Sequence, residues 1–321
     1  MTSIAPVQNL VDRVRAGELR ALARAISIVE DHSSESTALL KALFAFSGNA
    51  GLIGLTGPPG AGKSTLVDQI ARHYRQQGKT IGIIAVDPTS PFSGGAILGD
   101  RIRMQAHYAD PGIYIRSMAT RGSLGGLAST TADVATVLDA SGRDLVMIET
   151  VGVGQDEVDI VTLADVTAVV LVPGMGDDVQ TIKAGIMEIA DVFVINKSDR
   201  DGAERVEREI RAMQSLATRG DNWTPPIVKT VASDGTGVPD VVAAIESYRD
   251  YLGKSGLGLG RRIANWRKRI REMLRDALFQ RVLTDYLGDG EADRFAVEVA
   301  EHKRDPYSLV EEIVNELGRL A

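Results

Sequence analysis

Residues 52–65 read Leu-Ile-Gly-Leu-Thr-Gly-Pro-Pro-Gly-Ala-Gly-Lys-Ser-Thr, and no other stretch restricts the fold so tightly. The first five residues read as a short buried strand. From Gly57 to Ser64 the sequence fits the phosphate-binding template G-x-x-x-x-G-K-[ST]. Gly57, Gly60 and Gly62 let backbone N–H groups turn inward on a phosphate where side chains would block them. Pro58, Pro59 and Ala61 fill the loop between them, and Thr65 follows it. Lys63 can reach the β- and γ-phosphates, Ser64 can ligate Mg²⁺, and the helix that starts here adds its positive N-terminal end. The stretch predicts a nucleotide-binding protein.

Composition narrows the partners. The 321 residues hold 43 acidic and 36 basic side chains. A net charge of −7 argues against a nucleic-acid partner, which calls for a basic face. Cysteine is absent, which removes disulfides, thiolate metal sites and Cys nucleophiles together. Asp12, Arg13, Arg15 and Glu18 interrupt the apolar residues where a signal-peptide core would lie. No apolar run reaches the ~18 residues that span a bilayer. A cytoplasmic protein without a membrane partner is expected.

Residues 6–48 carry helical spacing: Leu10, Val14, Leu19, Leu22, Ile26 and Val29, then Leu39, Leu40, Leu43 and Phe46 after a serine-rich break in which Ser36 reads as an N-cap. From 52 to about 250 strands and helices alternate. The strand candidates are Leu52–Thr56, Thr80–Val86, Gly112–Ser117, Asp144–Glu149, Thr167–Val172, Val192–Asn196 and Ile227–Val231, with helical stretches at 63–77, 124–140, 178–190, 200–218 and 238–252. Continuous apolar strands with helical crossovers predict an α/β fold, a mostly parallel sheet covered on both faces. Gly253–Gly256 reads as a hinge. Beyond it, residues 261–275 interleave seven basic side chains with Ile263, Trp266, Ile270 and Leu274, and the acidic stretch from 291 carries Phe295, Val297, Val299, Leu309, Ile313 and Leu317. Such apolar stripes need a cover, and a second copy of the chain is expected to supply it. The expected partition is a helical extension over 1–48, a nucleotide-binding domain over 49–253 and a helical dimerisation segment over 257–321.

Further motifs fall at predicted strand ends, where ligands of open α/β sheets bind. Asn196-Lys197-Ser198-Asp199 closes one strand. A carboxylate at Asp199 can accept from both guanine N1–H and the 2-amino group, donors that adenine does not present together. Asn196 and the Lys197 stem would shape the pocket. Ser233-Asp234-Gly235 follows another strand and is expected to give backbone contacts to the base. Glu149-Thr150-Val151-Gly152 ends a third: Glu149 can hold Mg²⁺, and Gly152 can bring its N–H to the γ-phosphate. Asp87 and Asp100 are further carboxylates that could face the metal or the attacking water, and the Pro-, Ser- and Gly-rich stretch between them suits a loop that orders around the γ-phosphate. After Gly152 comes Val153, with Gln155 two residues further on, so the usual water-positioning group is missing. Slow intrinsic hydrolysis, completed by a partner or by dimerisation, is expected. The catalytic candidates are Lys63, Asp100 and Glu149, and the metal candidates Ser64, Asp87, Asp100 and Glu149.

Together these strings, with Val86-Asp87-Pro88-Thr89-Ser90, Leu98-Gly99-Asp100-Arg101-Ile102-Arg103-Met104 and Glu149-Thr150-Val151-Gly152-Val153-Gly154-Gln155, resemble the MeaB/ArgK/MMAA group of P-loop GTPases over residues 10–252. The resemblance implies a GTP- and Mg²⁺-dependent chaperone for adenosylcobalamin-dependent acyl-CoA mutases, chiefly methylmalonyl-CoA mutase, that gates cobalamin delivery and protects the mutase. It also implies a homodimer formed through C-terminal helices. The stretch Gly174–Lys183 matches a switch that passes nucleotide state to the mutase, with Asp178, Gln180 and Lys183 as its polar reporters and Gln155 in a neighbouring switch. Two departures stand out: the guanine loop is Ser233-Asp234-Gly235 where the group has Ser-Ala-x, and Asp156-Glu157 follows Gln155 in place of Ser-Glu.

Three other functions compete, one of them a non-catalytic, nucleotide-gated binding protein whose hydrolysis is incidental, which the missing glutamine after Gly152 keeps open. A GTPase that loads nickel enzymes would need Cys and His ligands, but there is no Cys, and His32, His73, His107 and His302 are scattered. A nucleotide-gated ATPase or kinase linked to basic amino-acid transport predicts adenine selectivity, against which Asp199 argues.

Overall fold

A computed structural model describes residues 4–87, 110–119, 126–150, 163–174, 186–216, 219–288 and 290–319. Its strands are β1 (Gly51–Thr56), β2 (Ile81–Asp87), β3 (Ile113–Ala119), β4 (Leu145–Glu149), β5 (Val166–Leu171), β6 (Val192–Asn196) and β7 (Ile227–Thr230). They form one sheet in the order β3-β2-β4-β1-β5-β6-β7. Every pairing is parallel. All seven predicted strands are present, with ends shifted by two residues at most, because β-branched runs between turn residues are legible without tertiary context.

The helices are α1 (Ile4–Arg15), α2 (Leu19–Glu30), α3 (Ser36–Phe44), α4 (Lys63–Gln76), α5 (Gly126–Ala140), α6 (Ile186–Ile189), α7 (Ala203–Leu216), α8 (Val238–Ser255), α9 (Leu257–Tyr286), α10 (Glu291–Ala300) and α11 (Pro306–Arg319). Successive side chains of a strand point to opposite faces, and the core divides accordingly. Leu145 and Met147 of β4 pack with Leu66 and Ile70 of α4 and Val241 and Ile245 of α8. Val146 and Ile148 pack on the other face with Leu22 and Ile26 of α2, Leu43 of α3 and Val134 and Leu138 of α5. A third cluster joins Phe193 and Ile195 of β6 to Val206 and Ile210 of α7. The N-terminal helices are fastened as well as packed. Asp139 of α5 accepts from the backbone N–H groups of Gly48, Asn49 (3.1 Å) and Ala50 (2.9 Å), and Arg116 of β3 pairs with Glu30 of α2.

Two local expectations change. Ser36 is not an N-cap: its N–H already donates to Ser33 O, Glu35 before it has helical dihedrals, and Ser36 is the first helical residue, buried. The predicted hinge shrinks to one residue, since α8 runs through Gly253 to Ser255 and Gly256 alone takes the left-handed C-terminal position at φ +72°.

The chain forms two compact units, residues 1–265 and 266–321. The first unit holds a buried charge cluster at the start of β6. Asp191, 1 % exposed, accepts from Thr167 N (2.9 Å) and pairs with Arg261 (2.8 Å) and Arg219 (3.2 Å). Arg261 also donates to Tyr248 Oη (2.6 Å), and Trp223 Nε1 donates to Asp191 O (2.9 Å). Burial works against the Arg261 charge, but its bonds to Asp191 outweigh that and raise its pKa. In the second unit Arg304 bridges Glu298 and Glu312 and lies 5.6 Å from the Phe295 ring. Ile270, Leu274, Phe279, Val297, Tyr307 and Val310 are exposed there. Among the described residues no helix is long and apolar enough to cross a membrane.

Asp191→Asn takes the carboxylate from Arg261 and leaves Arg219 only its pair with Asp221 (2.7 Å), a loss on the order of 3–5 kcal/mol. Denaturant unfolding followed by tryptophan fluorescence should show that loss. Arg211→Met, which removes a largely exposed i,i+4 pair with Glu207, should change stability by less than about 0.5 kcal/mol.

Candidate nucleotide-binding site

The site lies at the carboxyl ends of β1, β4 and β6. β1 stops at Thr56, the chain turns through residues 57–62, and α4 begins at Lys63. Two glycines are required by geometry. Gly57 has φ +143°, and a Cβ there would lie 2.0 Å from Val170 O of β5. Gly62 has φ +87°, and its Cβ would meet Asn196 Nδ2 at 2.4 Å. The loop is therefore drawn against the neighbouring strand ends at a distance only hydrogen side chains permit.

Lys63 is buried, and its ammonium donates to Gly57 O (2.6 Å) and Pro58 O (3.0 Å), so a cation spans the mouth of the loop at the positive end of α4. Ser64 Oγ donates to Glu149 Oε1 at 2.6 Å, with both residues buried. This juxtaposes a hydroxyl and a carboxylate, two hard oxygen donors of the kind that Mg²⁺ takes.

Asn196 is the tie between segments. Its Nδ2 donates to Ala61 O (2.8 Å), while its Oδ1 accepts from Thr230 Oγ1 (3.1 Å) and Ala232 N (3.0 Å). Lys197, at φ +55°, donates from Nζ to Gly60 O (2.7 Å) and lays its stem across the loop. Asp199 is exposed in the turn beyond. Residues 233–235 form a turn closed by the Val231–Thr236 bridge. The Thr236 hydroxyl and then its N–H hold the exposed Asp234 carboxyl below its ordinary pKa.

The structure thus brings residues 57–65, Glu149, Asn196 and Lys197 together, and joins the 233–235 turn to them through Asn196 and Ala232. Asp87 is the last residue of β2, two positions past Ala85, the partner of Glu149. Asp100, Gly152, Gln155, Asp178, Gln180 and Lys183 lie outside the described residues. Sequence reasoning missed Thr56, Thr150 and Thr230. All three are buried, and their hydroxyls bond at strand ends: Thr150 Oγ1 to Thr56 Oγ1 at 3.0 Å, and Thr230 to Asn196. A threonine in a β-branched run reads as a strand former, and only its place next to Gly57 or Glu149 could have marked it.

A family model described as Methylmalonyl Co-A mutase-associated GTPase MeaB matches residues 22–286. The chain belongs to the MeaB family of GTPases. A putative GTPase of Pyrococcus abyssi is 46 % identical over 317 residues, 97 % of either chain. The GTPase ArgK of Escherichia coli is 36 % identical over 264 residues, 80 % of either chain. A solved structure titled LAO/AO transport system kinase has the same fold, with a TM-score of 0.73 at 25 % identity over 99 % of both chains. MeaB-family membership makes GTP and GDP the nucleotides of this site and accounts for its P-loop.

Asn196→Ala removes three hydrogen bonds at once and leaves Ala61 O and Ala232 N–H buried without that partner. Each such group costs roughly 1–3 kcal/mol. A titration with a fluorescent GDP analogue should show at least tenfold weaker binding, with a lowered unfolding midpoint.

Proposed function

We propose that this MeaB-family GTPase couples GTP binding and hydrolysis to the loading and release of adenosylcobalamin in methylmalonyl-CoA mutase or a related acyl-CoA mutase, and protects that enzyme. One observation carries the reading. A P-loop tied by Asn196 to a guanine-type loop lies in a chain that matches, over residues 22–286, a family described by its association with methylmalonyl-CoA mutase.

In this reading Lys63 exchanges its two carbonyl partners for the β- and γ-phosphate oxygens, aided by the N–H groups of residues 57–65 and the positive end of α4. Asp199 accepts from guanine N1–H and the 2-amino group, Asn196 and Lys197 shape the base pocket, and Ser233, Asp234 and Gly235 line its rim. The adjacent oxygens of Ser64 and Glu149 fit Mg²⁺, with Asp87 and Asp100 as further carboxylates. Bound there, Mg²⁺ neutralises charge on the phosphates. Gly152 presents its N–H to the γ-phosphate, and Asp100 and Glu149 serve the attacking water. Water displaces the β-phosphate oxygen from the γ-phosphorus, giving GDP and phosphate. With Val153 after Gly152 in place of a water-positioning glutamine, hydrolysis is slow until a partner or dimerisation completes the site. Gln155, Asp178, Gln180 and Lys183 report the nucleotide to the mutase. The exposed apolar side chains of α9–α11 support a homodimer formed over residues 257–321, and a cytoplasmic location follows from the same reading.

A second reading, a nucleotide-gated ATPase or kinase linked to basic amino-acid transport, draws on the solved structure with that title. It requires ATP to be preferred.

The deciding experiment is GTP hydrolysis by the purified protein, alone and with methylmalonyl-CoA mutase from the same source. The expected result is at least tenfold stimulation that Lys63→Ala abolishes. Tight GTP binding with no stimulation would remove the mutase as client, and faster ATP than GTP hydrolysis would favour the transport reading. Asp199→Asn provides a separate check on the base. Two charge-assisted bonds at about 1.5 kcal/mol or more each predict roughly 100-fold weaker GTP binding, with binding of xanthosine triphosphate gained.

A further inference from the structure

We infer that Thr150 is a positioning residue for GTP hydrolysis, acting through Thr56 to hold the carboxyl end of β4, and with it Glu149, against the root of the phosphate-binding loop. The inference rests on the GTPase reading of the site and deepens it.

β1 and β4 are neighbours, with Leu55 opposite Glu149. The residue after each is a threonine: Thr56 closes β1, and Thr150 comes directly after β4. Thr150 N donates to Leu55 O at 3.1 Å, and the two hydroxyls meet at 3.0 Å, with each residue 1 % exposed. The residues on either side of this contact belong to the site. Thr56 is followed by Gly57, where a Cβ would lie 2.0 Å from Val170 O, so the end of β1 has no slack toward β5. Thr150 follows Glu149, whose carboxylate accepts from Ser64. It also leads into the stretch carrying Gly152. The hydroxyl pair therefore joins the last residue of β1, at the root of the phosphate-binding loop, to the residue that follows Glu149.

Sheet formation does not ask for these hydroxyls. β4 is otherwise Leu-Val-Met-Ile before its glutamate, and valine would suit either threonine position equally well by shape and β-propensity. Burying two hydroxyls to make one neutral hydrogen bond contributes little net stability, because desolvation offsets most of the gain. An O–H···O bond is directional in a way that an apolar contact is not. Its placement at the carboxyl ends of the strands, beside the loop, gives that direction a use: small misplacements of catalytic groups are expensive in rate while costing little in binding.

The test compares Thr150→Val and Thr150→Ser with the wild type in steady-state GTP hydrolysis by the full chain, alongside thermal unfolding. The expected result for Thr150→Val is a kcat lowered at least fivefold with KM within twofold of wild type. Thr150→Ser, which keeps the hydroxyl, should return kcat to within twofold. Thr56→Val should reproduce the Thr150→Val signature from the other side, and it carries the test if Thr150→Val fails to fold. A wild-type kcat in whichever valine variant folds, a loss confined to KM, or no recovery in Thr150→Ser would overturn the inference while leaving the GTPase reading intact. Wild-type protein that binds GTP without hydrolysing it would overturn the hydrolytic reading, and this inference with it.

Discussion

The 2.8 Å hydrogen bond from Asn196 Nδ2 to Ala61 O is the constraint on which the site depends. It spans the carboxyl ends of the sheet, from β6 across β5 to the loop that follows β1. The same side chain accepts from Thr230 and Ala232, so one amide fixes three segments at once. Gly62 is the corollary: a side chain there would occupy the space through which Asn196 reaches the loop. The amide uses its donor on one segment and its acceptor twice on another, which an apolar side chain of that volume cannot do. The parallel sheet supplies the precondition, since strands running one way put every motif-bearing end on a single edge.

Charge follows the same logic at both ends of the sheet. At the ligand end Lys63 and Glu149 are buried, and each has partners: two loop carbonyls for the ammonium, and the Ser64 hydroxyl for the carboxylate. A phosphate that recruits Lys63 exchanges one set of bonds for another, so binding strength depends on the difference between them. At the opposite end Asp191 meets Arg219 and Arg261 in a cluster remote from the motifs. There the burial serves architecture, holding the first turns of α9 and the 219–223 loop to the start of β6. A buried ion pair gains little net stability, but removing one partner is costly because it strands the other charge.

The sequence made the sheet legible because its signals are local. β-branched runs between glycines, prolines and aspartates gave seven strands, and the Gly57–Ser64 string named the loop, the helix start and the ligand class together. Asn196 and Glu149 were found because they close such runs. Position within a turn is a different matter. Ser36 reads as a cap, yet the turn that begins at Ser33 already gives it helical geometry, and no residue-type preference could reveal that. Gly253 to Gly256 reads as a hinge from composition, whereas a helix absorbs the first glycine and uses the second to stop. The Asp191 cluster unites residues 28 and 70 positions apart, a distance over which patterning carries no information.

That the carboxylate after Ile148 is a glutamate has a consequence for how it is held. Its carboxylate accepts directly from Ser64 Oγ across the gap to α4. A longer arm also has more rotamers to lose, so its position must be fixed by something other than its own backbone. Ser64 fixes the head of that arm. The Thr56–Thr150 pair fixes its base, one residue further along the chain and on the side of the loop. With head and base each held by a hydroxyl, a flexible acid is confined beside a rigid loop, and the site reaches with glutamate a definition that a shorter side chain would owe to its length alone.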